Sequence, residues 1–529
     1  MKGIILAGGP ADIGLQNIFG EIPAALVPLS GKPSIEYIIE NMMECGVKEF
    51  VITVDFQHEK LTRTVNKLKL KEIVINFVQV SSKLKPGSAV NHALEHVGDA
   101  PVLICLADSI VKIIDITFDK PFIVVSSVNY HSHKWCGIQS NENGDFLRFE
   151  DKNTIKTPTV ACGMYYLPNH SRTNINHSLD QEISEVILDQ LDGEILKIKR
   201  ASSWWDLGHI DGYFQAKSDS LNCRVFNNLE IDKFFGTIKK TSTHVEKFRD
   251  EILWQVNLPK SLQPLIPRVL DYCADKNKDN FIISEYYGYP TIADIWLFPQ
   301  ENPEYFRKVI DKCTQVLKYL MNEEEEVNES DYHMMYTQKT LDRISSAKSD
   351  SIEIKSLLDS EFININGKQY LGWPKLQDRI LKLSDKLYNK NHNCLIHGDF
   401  CFSNILYDGN TNIIRLIDPR GRWGESIGGD IKYDFAKLRH SISGFYDFIM
   451  ADMFDFEQND DTISFRIFSD DIHHQTKEYF DSQISKMFVL EDIKLIEGLL
   501  FLSMIPLHSD FPNRQKAMLA NALIILNEI

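Results

Sequence analysis

Four residues of one short stretch have the types and spacing to do chemistry together. In "CLIHGDFCFSNILYDGNTNIIRLIDPRG", Cys394 to Gly421, His397 and Asp399 follow an apolar run, Asn404 comes five positions after Asp399, and Asp418 closes a second apolar run. Phosphoryl transfer from ATP needs a carboxylate to take the proton of the attacking hydroxyl, and oxygen ligands to hold Mg²⁺ against the phosphates. An Asp, a nearby Asn and a second Asp beyond a hairpin meet that need, with the polar groups converging at strand ends. The same residues also suit an ordinary turn network of Asx hydrogen bonds.

Taken together, "HGDFCFSNIL", "LIDPRG" and "YDFAKL" resemble the catalytic core of the aminoglycoside phosphotransferase and choline kinase superfamily, relatives of protein kinases. The resemblance covers roughly residues 224 to 529. It implies Asp399 as catalytic base, Asn404 and Asp418 as Mg²⁺ ligands, His397 as the brace of the loop and Asp434 as a structural acid. Upstream, "GTIKKTST" offers Lys240, preferred over Lys239, on a strand, and "KFRDEILW" offers Glu251 on the following helix, the pair that positions the α- and β-phosphates in this fold. "FIISEYYGYPTIADI" resembles the hinge between lobes, where backbone groups near Glu285 and Tyr286 would meet adenine. A glycine-rich phosphate loop is poorly represented.

At the other end of the chain, "GIILAGG" followed by "PAALVPLSGKPSIEYIIENMMECGV" resembles the entry of a sugar-phosphate nucleotidyltransferase, in which Gly8 and Gly9 let backbone N–H groups approach a nucleotide. The resemblance implies that "KPGSAVNHAL", with Gly87, meets the base and that Asp108 and Asp206 hold Mg²⁺ on the nucleotide phosphates. Glu150 and Lys152 in "FEDKN" would meet the sugar or alcohol phosphate. Two cations of the family pattern are absent: Ile13 stands where G-x-G-x-R has its Arg, and Pro23-Ala24-Ala25-Leu26 stands where P-K-x-L has its Lys. Losing a group aimed at developing negative charge costs about 3 kcal/mol each. Either Lys32, Lys85 and Lys152 supply that charge, or the unit binds a nucleotide without transferring it.

These residues need elements to position them. Up to about Leu221, β-rich runs alternate with helical ones, which predicts βαβ units and a mostly parallel sheet with helices on both faces. From about Cys223 the rhythm changes to antiparallel strands with one helix, "HVEKFRDEILWQV", and after Pro303 it is mainly helical. The expected fold is therefore α/β: a Rossmann-like nucleotidyltransferase domain over 1–222, then a two-lobed α+β kinase-like domain with a small lobe over 223–302 and a helical large lobe over 303–529. The acidic run Asn322 to Asp331 reads as a solvated loop or linker, and His473-His474 as surface; "GFYDFIMADMFDF" has the aromatics of a cation cage, but its spacing fits a helix core equally well.

The 529 residues exceed one hydrophobic core, and 43% hydrophobic with 25% charged residues is the composition of a globular protein. Nine scattered cysteines without C-x-x-C pairs argue against a disulfide framework or a zinc site. A net charge of −17 disfavours nonspecific nucleic-acid binding. With no apolar run long enough to span a bilayer and no signal-peptide core, a cytoplasmic location is expected. A homo-oligomer is allowed. The chemistry expected is ATP-dependent phosphorylation of a sugar, polyol or amino alcohol, followed by activation of the phosphate with an NTP, CTP first, to an NDP-linked precursor of a bacterial surface polysaccharide. The alternatives are an active kinase fused to a non-catalytic nucleotide or nucleotide-sugar binding module, and a fully degenerate scaffold.

Overall fold

Strand Lys2–Leu6 reads almost wholly apolar because it lies inside a sheet, paired in parallel with Glu49–Val54 on one side and Val102–Leu106 on the other. In the computed structural model, all residues are described except 69, 71, 82, 115–116, 129–133, 143, 151–156, 171–178, 192, 221–226, 300–301, 424–425 and 460–461. The chain divides into two compact units, Met1–Ser220 and Leu221–Ile529.

The first unit is built on a nine-stranded sheet. One half is parallel as expected, Val74–Gln79 extending it beyond Glu49–Val54. The other half is largely antiparallel: Thr159–Leu167 runs against Val102–Leu106 and Phe122–Ser127, and Phe146–Glu150 against Gly137–Ser140. Apolar runs buried on both faces look alike in either direction, so this reversal could not be read from hydropathy. Helices Pro86–Leu94 and Ile183–Gln190 lay Val90, Leu94, Val186 and Ile187 against Ile4, Ile104, Ile123 and Tyr165 to form the core.

The second unit opens with a four-stranded antiparallel sheet in the order Asn227–Asp232, Thr237–Ser242, Phe281–Glu285, Val269–Cys273. Helix Val245–Val256 packs Phe248 and Ile252 against Ile282 and buries Glu251. Helices Pro303–Leu320, Lys339–Asp350, Ile431–Ile442, Leu490–Met504 and Pro512–Leu526 follow, with hairpin Ile405–Asp408/Ile413–Leu416 between them.

Two expectations are corrected here. "GFYDFIMADMFDF" is not one helix: Tyr446–Met450 is helical, the chain turns at Asp452 (φ 55°), and Phe454–Asn459 pairs with Thr462–Ile467 in a second four-stranded sheet. His473 is fully buried, its Nε2 2.9 Å from the Trp296 carbonyl and its Nδ1 accepting from the Asp470 N–H. It faces inward because it closes the capping box of helix Asp471–Ile484. The acidic run is a solvated loop as expected, with Glu324 and Glu326 exposed, and it is tied to the unit by a few backbone contacts. Glu323 O accepts from Leu395 N–H at 2.8 Å, Glu324 bridges Cys394, and Asn328 with Asp331 caps helix Glu329–Tyr332. The eight described cysteines are free. Among the described residues, no helix is long and apolar enough to cross a membrane.

Candidate functional site

In the first unit, strand Ser203–Asp206 pairs antiparallel with Ser109–Lys112 and sets Asp206 opposite Ser109, so Asp108 and Asp206 emerge at one edge. A Cβ on Gly208 would lie 2.7 Å from Asp108 Oδ2 and 3.1 Å from Asp206 Oδ1. Both carboxylates therefore face one small volume that only a glycine leaves open. Asp206 Oδ2 accepts from Trp135 Nε1 at 2.9 Å and lies 2.6 Å from His209 Nδ1, while Oδ1 accepts from Gly208 N–H at 2.9 Å. The bond to Asp206 raises the His209 imidazole above its ordinary pKa. Two carboxylates suit Mg²⁺, which takes few protein ligands and completes its shell with water and phosphate oxygens. Among the described residues there is no group of three or more His, Cys, Asp or Glu that could hold a metal by itself. His209 sits one turn beyond Asp206 and was legible in "WWDLGH"; Trp135 comes from a distant loop and was not.

The glycines differ. A Cβ on Gly9 would meet nothing within 4 Å, which leaves its backbone open to a ligand, whereas one on Gly8 would lie 3.2 Å from Val80 Cγ2. At Gly87 a Cβ would fall 2.3 Å from the Glu182 carbonyl oxygen, so close packing already demands a glycine there. Ile13, in the place of an arginine, is 70% exposed. Of the substitute cations, Lys85 is paired with Asp180 at 2.8 Å and Glu182 at 3.2 Å, and Lys32 with Glu40 at 2.8 Å and Glu36 at 3.2 Å. Lys152 lies outside the described residues. Glu150 is buried and accepts from Gln139 Nε2.

In the second unit, Lys240 Nζ lies 2.6 Å from Glu251 Oε1 and 2.7 Å from Asp418 Oδ1, which joins sheet, helix and hairpin end through one ammonium. Asn404 and Ile417 extend the hairpin register through Ile417 N–H to Asn404 O at 3.0 Å, which brings Asp418 beside the loop. Asn404 Nδ2 donates to Asp399 Oδ2 at 2.9 Å and to its carbonyl at 3.0 Å, so its remaining polar atom is Oδ1. Asp434 Oδ2 and Oδ1 accept from the His397 and Gly398 N–H groups at 2.7 and 2.8 Å. Asp399 Oδ1 pairs with Lys437 at 2.8 Å, a partner three residues after Asp434 on the same helix face that "YDFAKL" signalled and the sequence reading left unused. The N–H groups of Glu285 and Tyr286 already bond the Arg268 and Gly236 carbonyls at 3.0 and 2.9 Å. These two donors are spent in the sheet, so an adenine contact here would use other backbone groups of the segment.

The electrostatics follow from burial and these pairs. Burial acts to raise the Asp399 carboxyl, but Lys437 overrides it and holds Asp399 well below the usual range. Burial pushes His397 down to about 4, so its ring is neutral, with Nε2 3.1 Å from the Ile417 carbonyl. Burial, with Asp418 adding to it, pushes Glu251 up against the pull of Lys240.

His440 is fully buried between Tyr446 and Phe501, with ring centroids 4.4 and 4.2 Å away, and neither nitrogen has a hydrogen-bond partner among the described residues. Burial, then Lys437, depresses its pKa well below 6.5. A base depressed in the fold contributes stability that is complete above the unfolded pKa and is lost as pH falls below it, because only the unfolded chain takes up the proton. From pH 6.5 to 5 the loss is about 2 kcal/mol. Asp434 and Asp447, raised by burial to about 7, have the opposite sign, but they are common to both proteins in a comparison with His440→Leu. Urea unfolding should therefore show the variant gaining about 2 kcal/mol on wild type between pH 7.5 and 5. A pH-independent difference would contradict a neutral buried imidazole.

Residues 2–222 match the family model described as Nucleotidyl transferase. Over 170 residues the chain is 24% identical to D-glycero-alpha-D-manno-heptose 1-phosphate guanylyltransferase of Campylobacter jejuni, covering 32% of this chain and 76% of that protein. Over 113 residues it is 28% identical to the low-salt glycan biosynthesis nucleotidyltransferase Agl11 of Haloferax volcanii, covering 21% of this chain and 31% of that one. The crystal structure of HddC from Yersinia pseudotuberculosis complexed with GMP-PN aligns with 41% of this chain and 98% of its own, at 19% identity and a TM-score of 0.34. The N-terminal unit is thus a nucleotidyltransferase domain of mixed α/β fold, and sugar-phosphate nucleotidyltransferases are among its relatives.

Proposed function

We propose that the second unit phosphorylates a hydroxyl group of a small molecule with ATP and that the first unit couples the resulting phosphate ester to a nucleoside monophosphate. The observation that carries the kinase half is the Lys240 ammonium held between Glu251 and Asp418, which closes the hairpin that Asn404 opens, with Asn404 bonded to Asp399 in the loop before it. Asn404 and Asp418 would hold Mg²⁺, which neutralises phosphate charge when bound. Lys240 meets the ATP phosphates. Asp399, kept ionised by Lys437, aligns the acceptor hydroxyl. The hydroxyl oxygen bonds to the γ-phosphorus, the bond to the β,γ-bridging oxygen breaks, and the proton passes to Asp399. In the first unit Asp108 and Asp206 would hold the metal on the nucleotide phosphates, and the ester phosphate displaces pyrophosphate. The heptose 1-phosphate guanylyltransferase relative favours GTP beside the CTP that the sequence suggests.

Lys32 and Lys85 favour the second reading, a first unit that binds a nucleotide without transferring it, because both are occupied by their own carboxylates. Pyrophosphate release from the four NTPs with a panel of sugar and polyol phosphates separates the two. Transfer predicts release that Asp108→Asn lowers about a hundredfold. Nucleotide binding without release in any combination establishes the binding module. ADP release from ATP with a panel of alcohols tests the kinase half.

A further inference from the structure

A cleft of about 430 Å³ opens in the second unit between helix Lys339–Asp350 and the segment that follows Asp418. Its charged lining is one-sided: Lys339, Arg343, Arg420 and Arg422 face a single acid, Asp342, whose Oδ1 accepts from Gln338 Nε2 at 2.7 Å. In a chain of net charge −17, such a concentration of cations is local, and among the described lining residues Asp342 is the one acid. Arg343 and Arg420 have no ion-pair partner among the described residues; Arg422 Nε stands 3.8 Å from Asp250 Oδ2. The Arg420 guanidinium stacks over Trp423 at 3.5 Å, and both Arg420 Nε and Trp423 Nε1 are buried donors without a hydrogen-bond partner among the described residues. Lys339 Nζ donates to Tyr433 Oη at 2.8 Å. Burial and then Arg420, Lys437 and Arg343 drive its pKa well below the ordinary lysine value, so these cations crowd one another. Gln338 ends a π-helical turn, His333–Gln338, a distortion frequent at functional sites.

One lining residue, Arg420, ties the cleft to the proposed phosphoryl-transfer loop. Arg420 N–H donates to the His397 carbonyl at 2.9 Å, a Cβ on Gly398 would lie 2.8 Å from Arg420 Cβ, and Asp399 acts electrostatically on both Lys339 and Arg420. Fixed guanidinium groups with unused donors beside such a loop recognise an oxyanion by charge-assisted bidentate bonds. They repel an ammonium.

We propose that the hydroxyl compound phosphorylated by the second unit is itself an anion, an alcohol bearing a carboxylate or a phosphate that Arg343, Arg420, Arg422 and Lys339 hold while its hydroxyl reaches Asp399. The proposal rests on the kinase reading above and makes its acceptor an acid rather than a neutral polyol or a quaternary ammonium alcohol.

The test uses the full chain with Mg²⁺-ATP and four probes: D-glycerate, sn-glycerol 3-phosphate, glycerol and choline. ADP release is expected with one or both anions and not with glycerol or choline, and the responding anion tells carboxylate from phosphate. Arg343→Gln should raise KM for that anion at least tenfold with kcat within about threefold, and Arg343→Lys should recover part of the loss. Glycerol or choline turned over with a KM that Arg343→Gln leaves unchanged would overturn the inference and leave the kinase reading standing. If no probe is phosphorylated, calorimetric titration decides. Anion binding weakened at least tenfold by Arg343→Gln supports the anion site and removes the kinase reading, while binding of neither anion overturns the site.

Discussion

Asp399→Asn is expected to lower ATP-dependent phosphoryl transfer by about a thousandfold, within the range a positioned acid-base group contributes, while the protein still folds and loses about 2–3 kcal/mol of stability because buried Lys437 is left without its counter-charge. Asp399 makes two kinds of contact: Oδ1 pairs with Lys437 at 2.8 Å, and Oδ2 accepts from Asn404 Nδ2 at 2.9 Å. Asparagine keeps one carbonyl oxygen for the Asn404 bond and loses the charge that Lys437 answers. The rate loss has two sources. An amide cannot take the hydroxyl proton, and Lys437, no longer neutralised, repels nothing on the incoming hydroxyl yet competes for it as a hydrogen-bond donor. The measurement is ADP release with a responsive acceptor, beside urea unfolding and ATP binding. Retained ATP binding with lost transfer assigns Asp399 to the acceptor side. Transfer within tenfold of wild type would end the claim that Asp399 handles the proton.

Asp434→Ala is expected to have the largest effect on stability, a loss of about 3–5 kcal/mol. Asp434 is fully buried, and its two oxygens satisfy the N–H groups of His397 and Gly398. These are consecutive amides in a turn where Gly398 holds φ +75°, and the Arg420 side chain leaves no room for a Cβ. Alanine strands both amides without water, and each buried unpaired donor costs about 1–3 kcal/mol. Asparagine is predicted to do little better, because one of its two terminal groups would be an NH₂ aimed at a backbone N–H. Urea unfolding of both variants checks this. An Asp434→Asn protein as stable as wild type would mean that the loop does not need two acceptors.

The two halves differ in how much of them could be read in advance. The parallel half of the first sheet was legible because strands such as Lys2–Leu6 and Glu49–Val54 are apolar runs followed by helices, and helix Ser34–Glu44 buries Ile35, Ile38, Ile39 and Met42 at helical spacing. The antiparallel half was not, since Thr159–Leu167 is buried throughout and carries no sign of direction. The strands inside the helical region were missed for a related reason. Phe454–Asn459 and Thr462–Ile467 are short and follow directly on helical aromatics, and only their pairing makes the alternation of buried and exposed residues visible.

The residue types and short spacings in the chain specified local groupings by themselves: Asp399 with Asn404, Asp434 with Lys437, Asp206 with His209. Side chains separated by one turn of backbone have few ways to avoid each other. Tertiary structure decided everything that needs a long loop to close. It brought Lys240 to Asp418 and Trp135 to Asp206, spent Lys32 and Lys85 on neighbouring carboxylates, and gathered Arg343 beside Arg420. The physical reason is that the charge of a lysine or arginine is a property of its type, whereas whether that charge is free for a ligand depends on which carboxylates the fold sets within a few ångströms of it.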